Sequence, residues 1–138
     1  MTNGIVYRIL NRTAYTNTGL ASGQTSEIVL ARNLDLLSYR VGILVVRVHS
    51  INLASNTGAK YEVILKPEDP SSDEPDVDYV GSAVATVTLD TATTAPALLL
   101  AITSTEFPHI GRVTLKATQG ASQTTHVCAI SADLVLKP

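Results

Sequence analysis

Apolar and polar residues alternate with a period of two wherever this chain has a readable period, and that alternation confines it to β structure. Successive side chains of a strand point to opposite faces, so one parity can meet a core while the other meets water. In Lys60-Tyr61-Glu62-Val63-Ile64-Leu65-Lys66 the odd positions are apolar, and Lys60, Glu62 and Lys66 share the other face. Gly111 to Ala117 repeats the pattern with Val113, Leu115 and Ala117 inward, and Tyr79 to Leu89 is a third long candidate rich in Val, Ala and Thr. No stretch has the three-to-four spacing of a long amphipathic helix. Hydrophobic residues make up 45% of the 138 and charged ones 16%, so the chain has the material for a packed core. Its length suits one domain spanning residues 1–138.

Two segments break the alternation in the same direction. Val41 to Val48 is apolar on both faces until Arg47, as expected of a central strand covered on each side, and Ala95 to Ile102 is a second apolar run. A small sandwich has difficulty covering both, which points to self-association, with a trimer as the expected oligomer. The last strand, Thr124 to Leu136, places His126, Cys128, Ile130, Ala132, Leu134 and Leu136 on one face and Ser131 and Asp133 on the other. With Ile5 to Leu10, Ser26 to Ala31 and Ala97 to Ile102 the count reaches about eight strands. The expected architecture is all-β, a two-sheet antiparallel β-sandwich. Asn33 to Tyr39 supplies at most one helical turn, and Thr13 to Thr25 is expected as a long loop or extended arm.

One compositional break stands out, from Pro67 to Asp78. Three prolines remove backbone donors and six carboxylates repel one another, so residues 67–78 are expected as a flexible, solvated loop. Removing those six charges from a chain of net charge −2 leaves a body of +4. Arg8, Arg12, Arg32, Arg40 and Arg47 all precede residue 48, where the only acids are Glu27 and Asp35. A basic N-terminal part and an acidic loop could meet in another copy or a charged scaffold, or be ordinary surface charge.

Catalytic and metal chemistry find little to work with. Asp73, Glu74, Asp76 and Asp78 offer oxygens to a hard cation, but without the sixth-position glycine and terminal glutamate of an EF-hand; the loop is expected to hold no tightly bound ion. His49, His109 and His126 could join Cys128 around a transition metal, yet no pair has zinc-finger spacing and no His-x-His occurs. Glu27, Glu62 and Asp133 are the only strand carboxylates that could frame a glycosidase cleft, and the chain has no Trp to grip a sugar. Neither a Gly-x-Ser-x-Gly elbow nor a glycine-rich phosphate loop is present. No catalytic, cofactor-binding or metal residue is therefore expected, and the chain is expected not to be an enzyme. Aromatic residues at 4% and a net charge of −2 argue against nucleic acid and anionic membrane as partners. The longest apolar runs fall short of the roughly 20 residues of a membrane-spanning helix. One cysteine cannot form an intrachain disulfide, and the N-terminus lacks a signal-peptide pattern, so synthesis in the cytoplasm is expected.

The run Ser26-Glu27-Ile28-Val29-Leu30-Ala31-Arg32-Asn33-Leu34-Asp35-Leu36-Leu37-Ser38-Tyr39, leading into Val41 to Val48, resembles the second and third strands of small jelly-roll domains. Phe107 to Ala117 and then Ser131 to Lys137 are similar to the closing strands of β-sandwich proteins from tailed bacteriophages and prophage-like particles. Such proteins decorate or cement capsids or build tails. The Pro-rich acidic insertion between Lys66 and Tyr79 departs from that pattern. The resemblance implies that the sandwich is wound as a jelly roll and that the chain is a non-enzymatic virion structural protein, made in the host cytoplasm, that binds a capsid or other particle lattice and associates with itself. A carbohydrate-binding or receptor-binding jelly-roll module is the alternative.

Overall fold

The computed structural model describes residues 4–68, 83–103 and 109–138. Eight strands form in chain order: β1 (Ile5–Asn17), β2 (Thr25–Asp35), β3 (Val41–Asn52), β4 (Lys60–Pro67), β5 (Ala85–Leu89), β6 (Ala97–Ile102), β7 (Ile110–Thr118) and β8 (His126–Lys137). They assemble into two four-stranded antiparallel sheets packed as a β-sandwich. Sheet A has the order β1-β8-β3-β6 and sheet B the order β2-β7-β4-β5. Pairing is nested: β1 with β8, β2 with β7, β3 with β6 and β4 with β5. Only β4 and β5 are neighbours both in sequence and in a sheet; every other connection crosses between sheets.

Alternation places the core where the sequence pattern puts it. Leu44, Val46 and Val48 of β3 and Ile130, Ala132, Leu134 and Leu136 of β8 are buried in one cluster with Tyr61, Val63 and Leu65 of β4 and Val113, Leu115 and Ala117 of β7. His126 and Cys128 continue the inward face of β8 and are equally buried.

Loops at one end of the sandwich are tied by a buried polar cluster. Asn56 donates from Nδ2 to Gln119 Oε1 (2.9 Å) and to the carbonyl of Ser122, while its Oδ1 accepts the Ser122 N–H (2.8 Å). Gly120 packs so closely on Asn56 and Thr57 that a Cβ would sit 2.6 Å from Asn56 Oδ1 and the Thr57 carbonyl, which demands glycine there.

Several segments differ from the expectation raised by composition. Thr13 to Thr25 is not one long loop: β1 runs on to Asn17 because it pairs with β8 as far as His126, with Tyr15 packed against the core. Asn33 to Tyr39 stays within the expected limit of one helical turn and forms none. β2 continues to Asp35, Leu34 and Leu36 are buried, and a turn closes by Tyr39 N–H to Leu36 O (3.1 Å). The strand expected over Tyr79 to Leu89 begins at Ala85, and residues 79–82 lie outside the described residues. Pro67 belongs to β4 rather than to a loop, and Glu68 is buried. Residues 69–78 of that segment, with Asp73, Glu74, Asp76 and Asp78, lie outside the described residues. β3 is central in sheet A, but its outer face is only half covered, since Ile43 and Val45 remain partly accessible and Val41 is exposed.

Candidate interaction face

Strand register converts scattered apolar residues into a surface. On the outer side of sheet A, Val6 lies opposite Val135, Val135 opposite Ile43, and Ile43 opposite Ile102, so one aliphatic row crosses all four strands. The next row reads Arg8, Asp133, Val45 and Leu100, and the third brings Ser131, Arg47 and Leu98 together. Val6 is 63% exposed, Leu98 51%, Leu100 57% and Ile102 64%, values that leave most of each side chain in water. Single exposed leucines are ordinary, but a contiguous aliphatic strip across a sheet marks a contact surface.

Polar groups surround the strip, with Lys137 beside Val41 at one end and Thr16, Ser50 and Asn52 around Val127 and Ala129 at the other. Arg8 Nε lies 3.0 Å from Asp133 Oδ1, and His49 Nε2 lies 3.1 Å from Ser131 Oγ. Arg47 is exposed between Ser131 and Leu98. Covering such a strip would remove apolar surface from water, while Arg8 and Asp133 already answer each other within the sheet.

Sheet B presents a different outer side. Glu27 of β2 and Glu62 of β4 lie on either side of Lys116 of β7. Lys66 Nζ reaches Glu27 Oε1 (2.9 Å), Thr114 Oγ1 donates to the same oxygen (3.1 Å), and Lys60 pairs with Glu62 (3.4 Å). At the end of this sheet Glu68 accepts from Arg32 Nε (2.9 Å) and from the Asn33 N–H (2.6 Å). Asn33 is in the left-handed region at φ 52°, and the carboxylate satisfies the amide that this bend turns away from the ladder. Basic N-terminal part and acidic segment thus meet within one chain at Arg32 and Glu68.

The candidates for catalysis and metal binding that fall among the described residues are dispersed. Glu27 and Glu62 belong to sheet B and Asp133 to sheet A, each paired with a cation. His109 is exposed before β7, His49 lies on the outer side of sheet A, and His126 and Cys128 are in the core. Burial lowers the His126 pKa and pushes the Cys128 thiol up to about 12. His126 Nε2 meets Thr124 Oγ1 at 2.9 Å, and its carbonyl accepts the Tyr61 hydroxyl at 3.1 Å. Among the described residues no three His, Cys, Asp or Glu side chains gather as a metal site, and no helix is long and apolar enough to cross a membrane. An open dent of about 160 Å³ is lined in part by Asn52 and Asp90. Their carboxamide and carboxylate oxygens already accept the N–H groups of Ala54 (2.8 Å) and Ala92 (2.9 Å).

Two-sided apolarity in Val41 to Val48 and Ala95 to Ile102 points to two strands of the strip. The contributions of Val6 and Val135 emerge only from the register, although Ile5-Val6-Tyr7 and Leu134-Val135-Leu136 carry the same signal in miniature. No protein-family model, curated protein or solved structure matches the chain.

Proposed function

We propose that this chain is a non-enzymatic structural protein of a phage-like particle, decorating or stabilising a capsid or related lattice through protein–protein contacts. The observation that carries it is the aliphatic row Val6, Val135, Ile43 and Ile102 on the outer side of sheet A. An apolar strip running across paired strands suits attachment to a repeating protein surface better than capture of a small polar ligand. The nested strand order supports winding as a jelly roll, an architecture that viral capsid domains use. On this proposal the chain is made in the host cytoplasm, ends in the virion, and associates with itself and with the particle rather than with nucleic acid or membrane.

The test is co-sedimentation of the purified protein with capsids from the strain that carries the gene. Wild type and Thr88→Asp, whose change lies on the exposed side of sheet B, should pellet with the particles. Ile43→Asp should stay in the supernatant while keeping its β-type circular dichroism. Wild type that fails to pellet, or Ile43→Asp that pellets equally well, would sink the proposal.

A further inference from the structure

The four edge strands of the sandwich are not protected equally. β1 carries exposed Arg8 and Arg12, and its register shifts twice against β8. β2 carries Glu27, Arg32 and Asp35 and also shifts twice. β5 has five residues and turns Thr86 and Thr88 outward. β6, Ala97-Leu98-Leu99-Leu100-Ala101-Ile102, has neither a charge nor a register shift, although charges, bulges and short length are the usual means of keeping an edge unpaired.

Backbone parity shows what this edge offers. Thr103 donates its N–H to the Gly42 carbonyl (2.8 Å), and Ala101 and Leu99 lie opposite Leu44 and Val46 in the same phase. The N–H and C=O groups of Leu98, Leu100 and Ile102 therefore face the open edge, where no strand among the described residues meets them. These are also the residues whose side chains stand exposed on the outer side of sheet A.

We infer that β6 pairs antiparallel with β6 of a second copy across a two-fold axis at Leu100, joining two copies of sheet A into one continuous sheet. Reversing the strand about Leu100 exchanges Leu98 with Ile102 and returns Leu100 to itself, so every side chain on the outer side meets another aliphatic one. Each of the pairs Leu98 with Ile102, Leu100 with Leu100 and Ile102 with Leu98 can exchange two hydrogen bonds, using all the edge-facing groups from 98 to 102. No charge lies within the strand to oppose itself across the axis, and Pro96, which has no N–H, marks the end of the pairable stretch. A second copy is the occupant that matches both the spacing and the apolar character of this edge, because the edge is its own complement. The contact goes beyond the particle assignment, since it needs only the edge geometry.

Sedimentation of the purified chain at micromolar concentration tests it. Wild type should run at an even multiple of the chain mass, not as the trimer expected from the sequence. Leu100→Lys and Leu100→Glu should each lose half of that mass, through like charges facing each other on the axis, and an equimolar mixture should recover it. Should either variant lose its β-type circular dichroism, a second pair decides: Leu98→Lys/Ile102→Glu should keep the wild-type mass and Leu98→Lys/Ile102→Lys should halve it. A monomeric or odd-numbered wild type, a charged variant at full mass, or a mixture that fails to recover overturns the pairing. A chain that pairs through β6 but ignores particles removes the particle proposal and leaves this one standing.

Discussion

The two outer sides of this sandwich are built from the same kind of strand and finish differently. On sheet B, Glu27, Lys116 and Glu62 alternate in sign across three strands, and Lys66, Thr114 and Lys60 complete their contacts. On sheet A, Arg8 and Asp133 form the one ion pair described, and the rest of the two central rows is aliphatic. A face whose charges are satisfied by neighbours in its own sheet asks nothing of a partner. A face whose methyl groups stand in water gains from being covered, at roughly 25 cal/mol per Å² of apolar surface removed from solvent. The difference teaches where to look for contacts: the charges of sheet B are answered within the sheet, whereas the aliphatic row of sheet A is left in water.

The contrast is most sharply broken by comparing adjacent residues of β8. Leu134 is fully buried between the sheets, whereas Val135 belongs to the outer row. Leu134→Ala should cost about 2–5 kcal/mol in chemical denaturation. Val135→Ala should cost under about 1 kcal/mol in the isolated chain. Equal losses would mean that the outer row is already a packed layer, and the division between the faces would fail.

Next in size is Glu68 at the end of sheet B. Glu68→Ala strands Arg32 and the Asn33 amide, and a loss of about 1–3 kcal/mol is expected because Arg32 keeps access to water. Glu68→Gln, which still offers an acceptor to Asn33, should recover part of it. A thermal midpoint unmoved by Glu68→Ala would show that this contact does not hold the β2 bend.

Smallest is Glu62→Ala, expected to change stability by no more than about 0.5 kcal/mol, because its pair with Lys60 is wide and partly exposed. A larger change that fades in high salt would make the charges of sheet B a cooperative network rather than a set of local pairs.

Much of the fold is legible in the sequence. Lys60 to Lys66, Gly111 to Ala117 and the last strand from His126 alternate cleanly, and each points its apolar parity inward. β1 beyond Leu10 was hidden because Thr, Asn and Ala carry almost no face preference, so only pairing with β8 extends it. The bend at Asn33 was hidden because its stabilising carboxylate, Glu68, is far away in sequence and sits inside a segment whose composition signals a solvated loop. Of the candidate face, the double-sided runs in β3 and β6 were visible, but the row itself depends on which residue stands opposite which. Register is a property of pairs of strands, and a single strand's sequence does not contain it.

β8 occupies an interior place in sheet A, between β1 and β3, and this has a consequence for how the chain reaches its native state. β1 has no other neighbour in that sheet, so its first residues stay unpaired until a strand more than a hundred positions away arrives, as Ile5 opposite Leu136 illustrates. The same holds in weaker form for β2 and β7, and only β4 and β5 can form early as neighbours in sequence. Chains dominated by such distant pairings close their longest loops before most contacts reward them, and they fold over milliseconds to seconds rather than microseconds. During that interval β3 lacks its β8 partner and the apolar edge of β6 is open to any strand nearby, so local chain concentration governs the yield of native protein.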